Sequence, residues 1–216
     1  MNKLSKTSKL DNILSWSLQA VETCPGSADA SQPEGLVPAC QGCYARTGCY
    51  NFKGTKAVRS DNKAAWQEAS WVDTMVQSLK KQSFFRWFDS GDMYSIALAE
   101  KMLTVMENTP NTKHWLPTRM HKFPKFQAII AKMSALPNVM VRPSSDAVDG
   151  TYTAGVHGST IIPAGAPVPA GVKACTAPET NGKCAGCRAC YSKDIPVIGY
   201  IAHGRKMAKV IKLAVV

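Results

Sequence analysis

The eight cysteines constrain this chain more than any other feature, because they stand in two groups of four. Cys24, Cys40, Cys43 and Cys49 lie near the start, Cys175, Cys184, Cys187 and Cys190 near the end, and a long middle stretch has none. Four thiolates close a tetrahedral zinc site or hold a cubane iron–sulfur cluster. Disulfides also use even numbers, but the N-terminus has no continuous apolar run and no small-residue cleavage site, so a reducing cytoplasm is the expected compartment.

The second group reads C-x8-C-x2-C-x2-C, with Ala185, Gly186 and Ala189 between ligands. The C-x2-C-x2-C run is the spacing with which bacterial ferredoxins supply three ligands to a cubane cluster. Zinc sites more often pair two separate C-x2-C knuckles, so the expectation is a cluster. Tyr191 replaces the proline of the ferredoxin pattern. In the first group, Cys24-Pro25-Gly26 precedes a proline- and glycine-containing connection and then Cys40-x2-Cys43-Tyr44-Ala45 and Cys49. Two arrangements stay open there. Either all four thiolates close the site, or Cys24, Cys40 and Cys43 bind and leave one iron open. His157 and His203 are secondary ligand candidates.

Of the 216 residues, 45% are hydrophobic and 19% charged, enough for a packed core and unlike a disordered chain. No run approaches the roughly 18–20 apolar residues that span a bilayer, so no membrane partner is expected. The net charge of +11 suits an acidic partner or nucleic acid, although the basic residues form no single block and two anionic metal centres would offset part of it.

Between the cysteine groups the pattern alternates. An amphipathic helix is expected over residues 61–81, capped by Ser60 or Asp61, then strand 83–89, helix 93–107, strand 113–118, helix 123–133 and strand 138–143. Later strands are expected at 159–163 and 196–202. A β-α-β-α-β run with short connections forms parallel strands with right-handed crossovers. The predicted fold is therefore α/β, a small partial-barrel-like parallel sheet with flanking helices and two cysteine-rich metal-binding loop regions. It forms one domain over 1–216, with a cysteine loop region at 1–60, an α/β core at 61–150, and a second cysteine loop and final strand at 151–216. Parallel strands bring the loops SGDMY, TRMHK and RPSSD to one edge of the sheet, where α/β folds bind ligands. Ser90, Gly91, Asp92, Arg119 and Arg142 are the candidate cofactor-binding residues there, although helix capping would also use some of these side chains.

The ordered combination of CPG, CxGCYA, a strand ending in SGD, a later TR and a C-terminal GxCxxCRxC resembles the gene product 88 family, encoded by phages and mobile elements. More distantly the chain resembles radical S-adenosylmethionine (SAM) proteins. That resemblance implies a three-cysteine cluster on Cys24, Cys40 and Cys43 and a polar turn, Ser90-Gly91-Asp92, for the methionine amino group. Arg119 or Arg142 would face the carboxylate, and an auxiliary cluster would sit on the second group. The spacing departs from the usual C-x3-C-x2-C. Expected cofactors are two 4Fe-4S clusters, with SAM as a further candidate. The expected partner is an electron donor or a host protein in the host cytoplasm. The alternative is a zinc-stabilised module that binds nucleic acid or a host protein.

Overall fold

The computed structural model describes residues 3–214. Its main sheet has the order β1-β2-β3-β4-β5, formed by β1 (Ser5–Thr7), β2 (Ile13–Trp16), β3 (Phe84–Trp87), β4 (Lys113–Thr118) and β5 (Val139–Pro143). β1 is antiparallel to β2, and every other neighbour is parallel. A second, all-parallel sheet has the order β6-β8-β7, from β6 (Gly158–Ile162), β7 (Val172–Ala174) and β8 (Val197–Ile201). One parallel bridge, Ser144 to Ser159, continues the first sheet into the second beside β5. The expected mixed α/β architecture, with a mostly parallel sheet and flanking helices, is observed.

The helices are α1 (Pro38–Gln41), α2 (Lys53–Ala65), α3 (Trp71–Leu79), α4 (Ile96–Glu107), α5 (Pro124–Ala135) and α6 (Arg205–Ala214). Among the described residues, no helix is long and apolar enough to cross a membrane.

Period-two alternation decides what covers each face of the main sheet. Phe85, Trp87, His114 and Leu116 point to one side, where they are buried with Trp71, Met75, Leu98, Met102, Phe126 and Met133 of α3, α4 and α5. Trp16 sits at the centre of this core, with edge-on ring contacts to Trp71 at 5.3 Å, Phe88 at 5.8 Å and Trp87 at 6.2 Å. Phe84, Arg86 and Trp115 point to the other side. There Phe84 and Trp115 pack against Leu10, Tyr191, Cys184, Cys190 and Tyr200, so the second cysteine region is the cover of that face.

Two expectations are corrected, and the basic segment after His203, to which the sequence assigned no element, is defined. The single helix at 61–81 is two helices, α2 and α3, and Ser60 and Asp61 lie inside α2 rather than capping it. The break at residues 66–70 is fixed from outside, by Lys101 Nζ donating to the carbonyls of Trp66, Gln67 and Glu68 at 2.8, 3.4 and 2.9 Å. The region 1–60 is more than a cysteine loop, because β2 is an interior strand paired through Trp16 and Trp87 to β3. The basic C-terminal segment is helical, since Met207, Val210 and Ile211 recur at helical spacing and pack on Ala39 and Val148.

Candidate metal centres

The first cysteine region is built onto the carboxyl edge of the parallel strands. Phe88 takes φ 55, a left-handed conformation costly for a bulky residue and held here by its packing on Trp16. The chain then reverses through Asp89, Ser90 and Gly91. Gly91 has φ 82, and a Cβ there would stand 2.6 Å from Leu18 Cβ and 2.8 Å from Thr23 Oγ1. Only glycine allows the 18–24 segment to lie this close. Two backbone bonds fix it, Leu18 N to the Ser90 carbonyl at 3.0 Å and Asp92 N to the Thr23 carbonyl at 3.0 Å. The next residue is Cys24.

The turn after Cys24 (Pro25–Ser27) rests on the TRMHK loop. A Cβ on Gly26 would stand 2.5 Å from Arg119 Cβ, and Lys122 Nζ donates to the Gly26 carbonyl at 3.1 Å. Cys40, in α1, is brought to the same place by a bond from Ala39 N to the Asp146 carbonyl at 2.9 Å. Arg119 Nε donates to Asp146 Oδ1 at 3.1 Å, and Lys122 Nζ to Asp146 Oδ2 at 2.5 Å. The SGDMY, TRMHK and RPSSD loops share one edge as expected, and the segments carrying Cys24 and Cys40 are bonded to that edge. Burial pushes the Cys24 thiol up to about 12, with the Asp92 carboxylate and the Cys40 and Cys43 thiols adding to the rise. Burial also raises Cys40, against the pull of Arg119. Cys49 is exposed on the following turn, Gly48–Asn51.

The candidate cofactor turn is largely consumed by the fold. Asp92 Oδ1 accepts from Thr118 Oγ1 at 2.7 Å and Met93 N at 2.8 Å, and Oδ2 accepts from Arg119 N at 2.8 Å. Burial still raises its pKa despite those donors. Ser90 Oγ donates to the Leu18 carbonyl at 2.7 Å and accepts from Arg59 Nε at 2.5 Å. Arg119 spends two guanidinium nitrogens on Asp146 and the Ser145 carbonyl.

Arg142 lies elsewhere. Fully buried at 0% exposure, it donates to six carbonyl oxygens, of Gly158, Ala189, Cys190, Ser192, Ile195 and Pro196, at 2.9–3.3 Å. It holds the second cysteine loop instead of facing the sheet edge, a role that its place in RPSSD did not signal. Burial lowers its pKa, opposed by the nearby Tyr200 and Cys190.

The second region wraps a narrow recess on the sheet face that it covers. All four cysteines, Cys175, Cys184, Cys187 and Cys190, line it, with Leu10, Ala177, Tyr191 and Ile198 among its apolar walls. Cys175 is set by its N–H to the Gly199 carbonyl at 2.8 Å, and Cys184 by its N–H to the Lys9 carbonyl at 2.7 Å. Cys187 N bonds the Cys184 carbonyl at 2.8 Å across a left-handed turn in which even Ala185 has φ 45. Asp11 ties the loop tip to the N-terminus through Gly186 N at 3.0 Å and Arg188 Nη1 at 2.8 Å. Burial raises Cys184, with Cys190 and Cys175 adding to it; burial also raises Cys190, where Tyr200 and Arg142 oppose it. His157 bonds the Lys193 carbonyl at 2.7 Å and does not line the recess.

Among the described residues, no three Cys, His, Asp or Glu side chains converge tightly enough to hold a single metal ion as they stand.

Residue 86, which the sequence did not single out, joins the two regions. The Arg86 guanidinium lies over the Trp115 ring at 4.7 Å and donates to Tyr44 Oη at 3.2 Å, next to Cys43. The Trp115 ring meets that of Tyr191, next to Cys190, at 5.8 Å. Arg86 Nε is buried without a hydrogen-bond partner.

Residues 1–170 match the family model for gene product 88, and the chain belongs to that family. The match contains the first cysteine group and the strand-edge loops and stops short of the second group, so the C-terminal GxCxxCRxC part of the resemblance lies outside it. No curated protein and no solved structure matches the chain, and the distant likeness to radical SAM proteins gains no support.

Proposed function

We propose that this member of the gene product 88 family is an iron–sulfur protein holding two four-iron clusters, one in each cysteine region, and that it moves single electrons. One observation carries the reading: a buried positive charge without an anionic partner faces the second cysteine group. Arg142 has no exposure and bonds only carbonyl oxygens, and its nearest ionisable neighbours are Cys190 and Tyr200. An unpaired buried ion costs several kcal/mol, so such a site calls for a counter-ion. A cluster held by four thiolates is a net anion and supplies one.

Zinc on four thiolates would supply the same charge, and the two differ in spacing. Zn–S bonds of about 2.3 Å draw the sulfurs to roughly 3.8 Å from one another. A four-iron core keeps its ligands on the outside of a cube. The C-x2-C-x2-C spacing among four cysteines that line one common recess favours the cluster. Burial holds Cys24, Cys40, Cys184 and Cys190 protonated in the free protein, so loading a metal centre releases protons.

At the first site, Cys24, Cys40 and Cys43 are the assigned ligands and Cys49, exposed on the next turn, is not needed. Arg119 and Lys122, both paired to Asp146, flank that site, and α6 covers it through Met207 against Gly42. The electron donor would be a host cytoplasmic protein. The test is EPR of the dithionite-reduced protein. Two superposed cluster signals are expected, one of them absent in Cys187→Ala; a silent reduced protein would refute the reading.

A second reading has one observation in its favour. Three cysteines beyond the carboxyl ends of parallel strands leave one iron with an exchangeable position, which SAM occupies in radical enzymes. Against it, the bonds of Ser90 and Asp92 are already used within the fold. Adding SAM to reduced Cys187→Ala protein is expected to leave the remaining signal unchanged. A changed signal would replace electron transfer with radical chemistry.

A further inference from the structure

The two cysteine regions sit in different electrostatic surroundings. At the first, the cations are matched by anions: Arg119 and Lys122 are both paired to Asp146, and the carboxylate of Asp92 lies buried beside Cys24. At the second, the buried charge beside Cys190 is the cation Arg142, while Arg86, between the two regions, has Asp89 on its first-region side. Arg142 touches only carbonyl groups, and Arg86 reaches the same sheet face with one nitrogen unpartnered. Arg188 is paired with Asp11 at the rim. The hydroxyl of Tyr200 lies 3.4 Å from Cys190 Sγ.

From this asymmetry we infer that the C-terminal centre has the higher reduction potential of the two, and that Tyr200 and Arg142 are the positioning residues that set it. Taking up one electron makes a cluster more negative by one charge and requires no proton. Donors to its sulfurs and fixed cations therefore stabilise the reduced form. The Tyr200 hydroxyl, 3.4 Å from Cys190 Sγ, is placed as a donor to a Cys190 thiolate, which has no proton of its own to give. Arg142 cannot move away, since its six carbonyl bonds lock the guanidinium beside Cys190. An electron delivered at the sheet-edge centre would come to rest under the second cysteine loop. The route between them is the Tyr44–Arg86–Trp115–Tyr191 contact chain.

The inference rests on the two-cluster reading, and the experiment separates their failures. The full-length holoprotein is titrated anaerobically with dithionite, with EPR read at each potential and iron and sulfide measured on the same samples. Wild type should show two one-electron steps, and Cys187→Ala should keep only the more negative one. Tyr200→Phe should keep full iron and sulfide and move only the less negative step, to lower potential. Should Cys187→Ala retain the less negative step, or Tyr200→Phe leave that step in place, the assignment is overturned while the clusters stand. Wild-type protein without acid-labile sulfide would overturn both.

Discussion

Replacing Arg142 by methionine tests whether this residue is the internal strut of the second cysteine loop. The side chains are similar in length, so the change removes the guanidinium without opening a large cavity. Six carbonyl groups lose this donor, and those of Ala189 and Pro196 keep the N–H of Ser192 and of Gly158. At about 1–3 kcal/mol for each of the other four left unsatisfied, the gross loss is roughly 4–12 kcal/mol. Two effects reduce it: water reaches the carbonyls nearest the rim, and the cost of burying a charge disappears. The net loss therefore falls at the low end of the gross range, about 3–5 kcal/mol. For a chain of 216 residues it lowers the melting temperature by roughly 6–20 °C. Thermal unfolding of the metal-free protein measures the loss, and mass-spectrometric mapping of iodoacetamide labelling measures exposure of Cys190. A destabilisation below about 1 kcal/mol, with Cys190 labelled no faster than in wild type, would refute the strut.

Three further outcomes follow from the same contacts. Thr109 Oγ1 donates to the Val105 carbonyl at 2.7 Å and so accepts from His114 Nε2 at 2.9 Å, which leaves Nδ1 to accept from Trp87 Nε1 at 3.3 Å. Burial accordingly lowers the His114 pKa from 6.5 to about 4. The folded state then disfavours the imidazolium, so the contribution is intact above pH 6.5 and is lost as pH falls from 6.5 towards 4. It amounts to about 3 kcal/mol, and urea unfolding at pH 7 and pH 4 should differ by that much more in wild type than in His114→Gln. Gly91→Ala forces a Cβ against Leu18 and Thr23 at φ 82, and should cost at least about 2 kcal/mol and halve the bound iron by displacing the Cys24 segment; unchanged iron would show that the 18–24 contact does not place Cys24. Cys49→Ala should leave iron content and visible absorption unchanged, whereas a loss would make Cys49 a ligand.

How much of this was legible in the sequence depends on where the physical signal lay. β3, β4, β5 and their helices announced themselves, because each carries its own periodicity and ends in its own breaker. β2 did not: Ile13–Trp16 is four residues long, and its identity as an interior strand comes from Phe85, Arg86 and Trp87 far along the chain. The break between α2 and α3 was hidden for a similar reason, since Lys101 of α4 terminates the first helix. The cysteine grouping and the shared loop edge were readable as patterns. Arg142 was not, because its partners are backbone carbonyls, which leave no mark on sequence. Arg86 likewise gains its meaning only from β3 and β4 lying side by side. Tyr44 and Tyr191, each directly after a cysteine, were the available hint.

The most direct test of the central claim is elemental: iron, acid-labile sulfide and zinc per chain in anaerobically purified wild-type protein. The account predicts about eight irons, about eight sulfides and no zinc. About two zincs with no sulfide would contradict it, and would make the two cysteine regions structural staples of a binding protein.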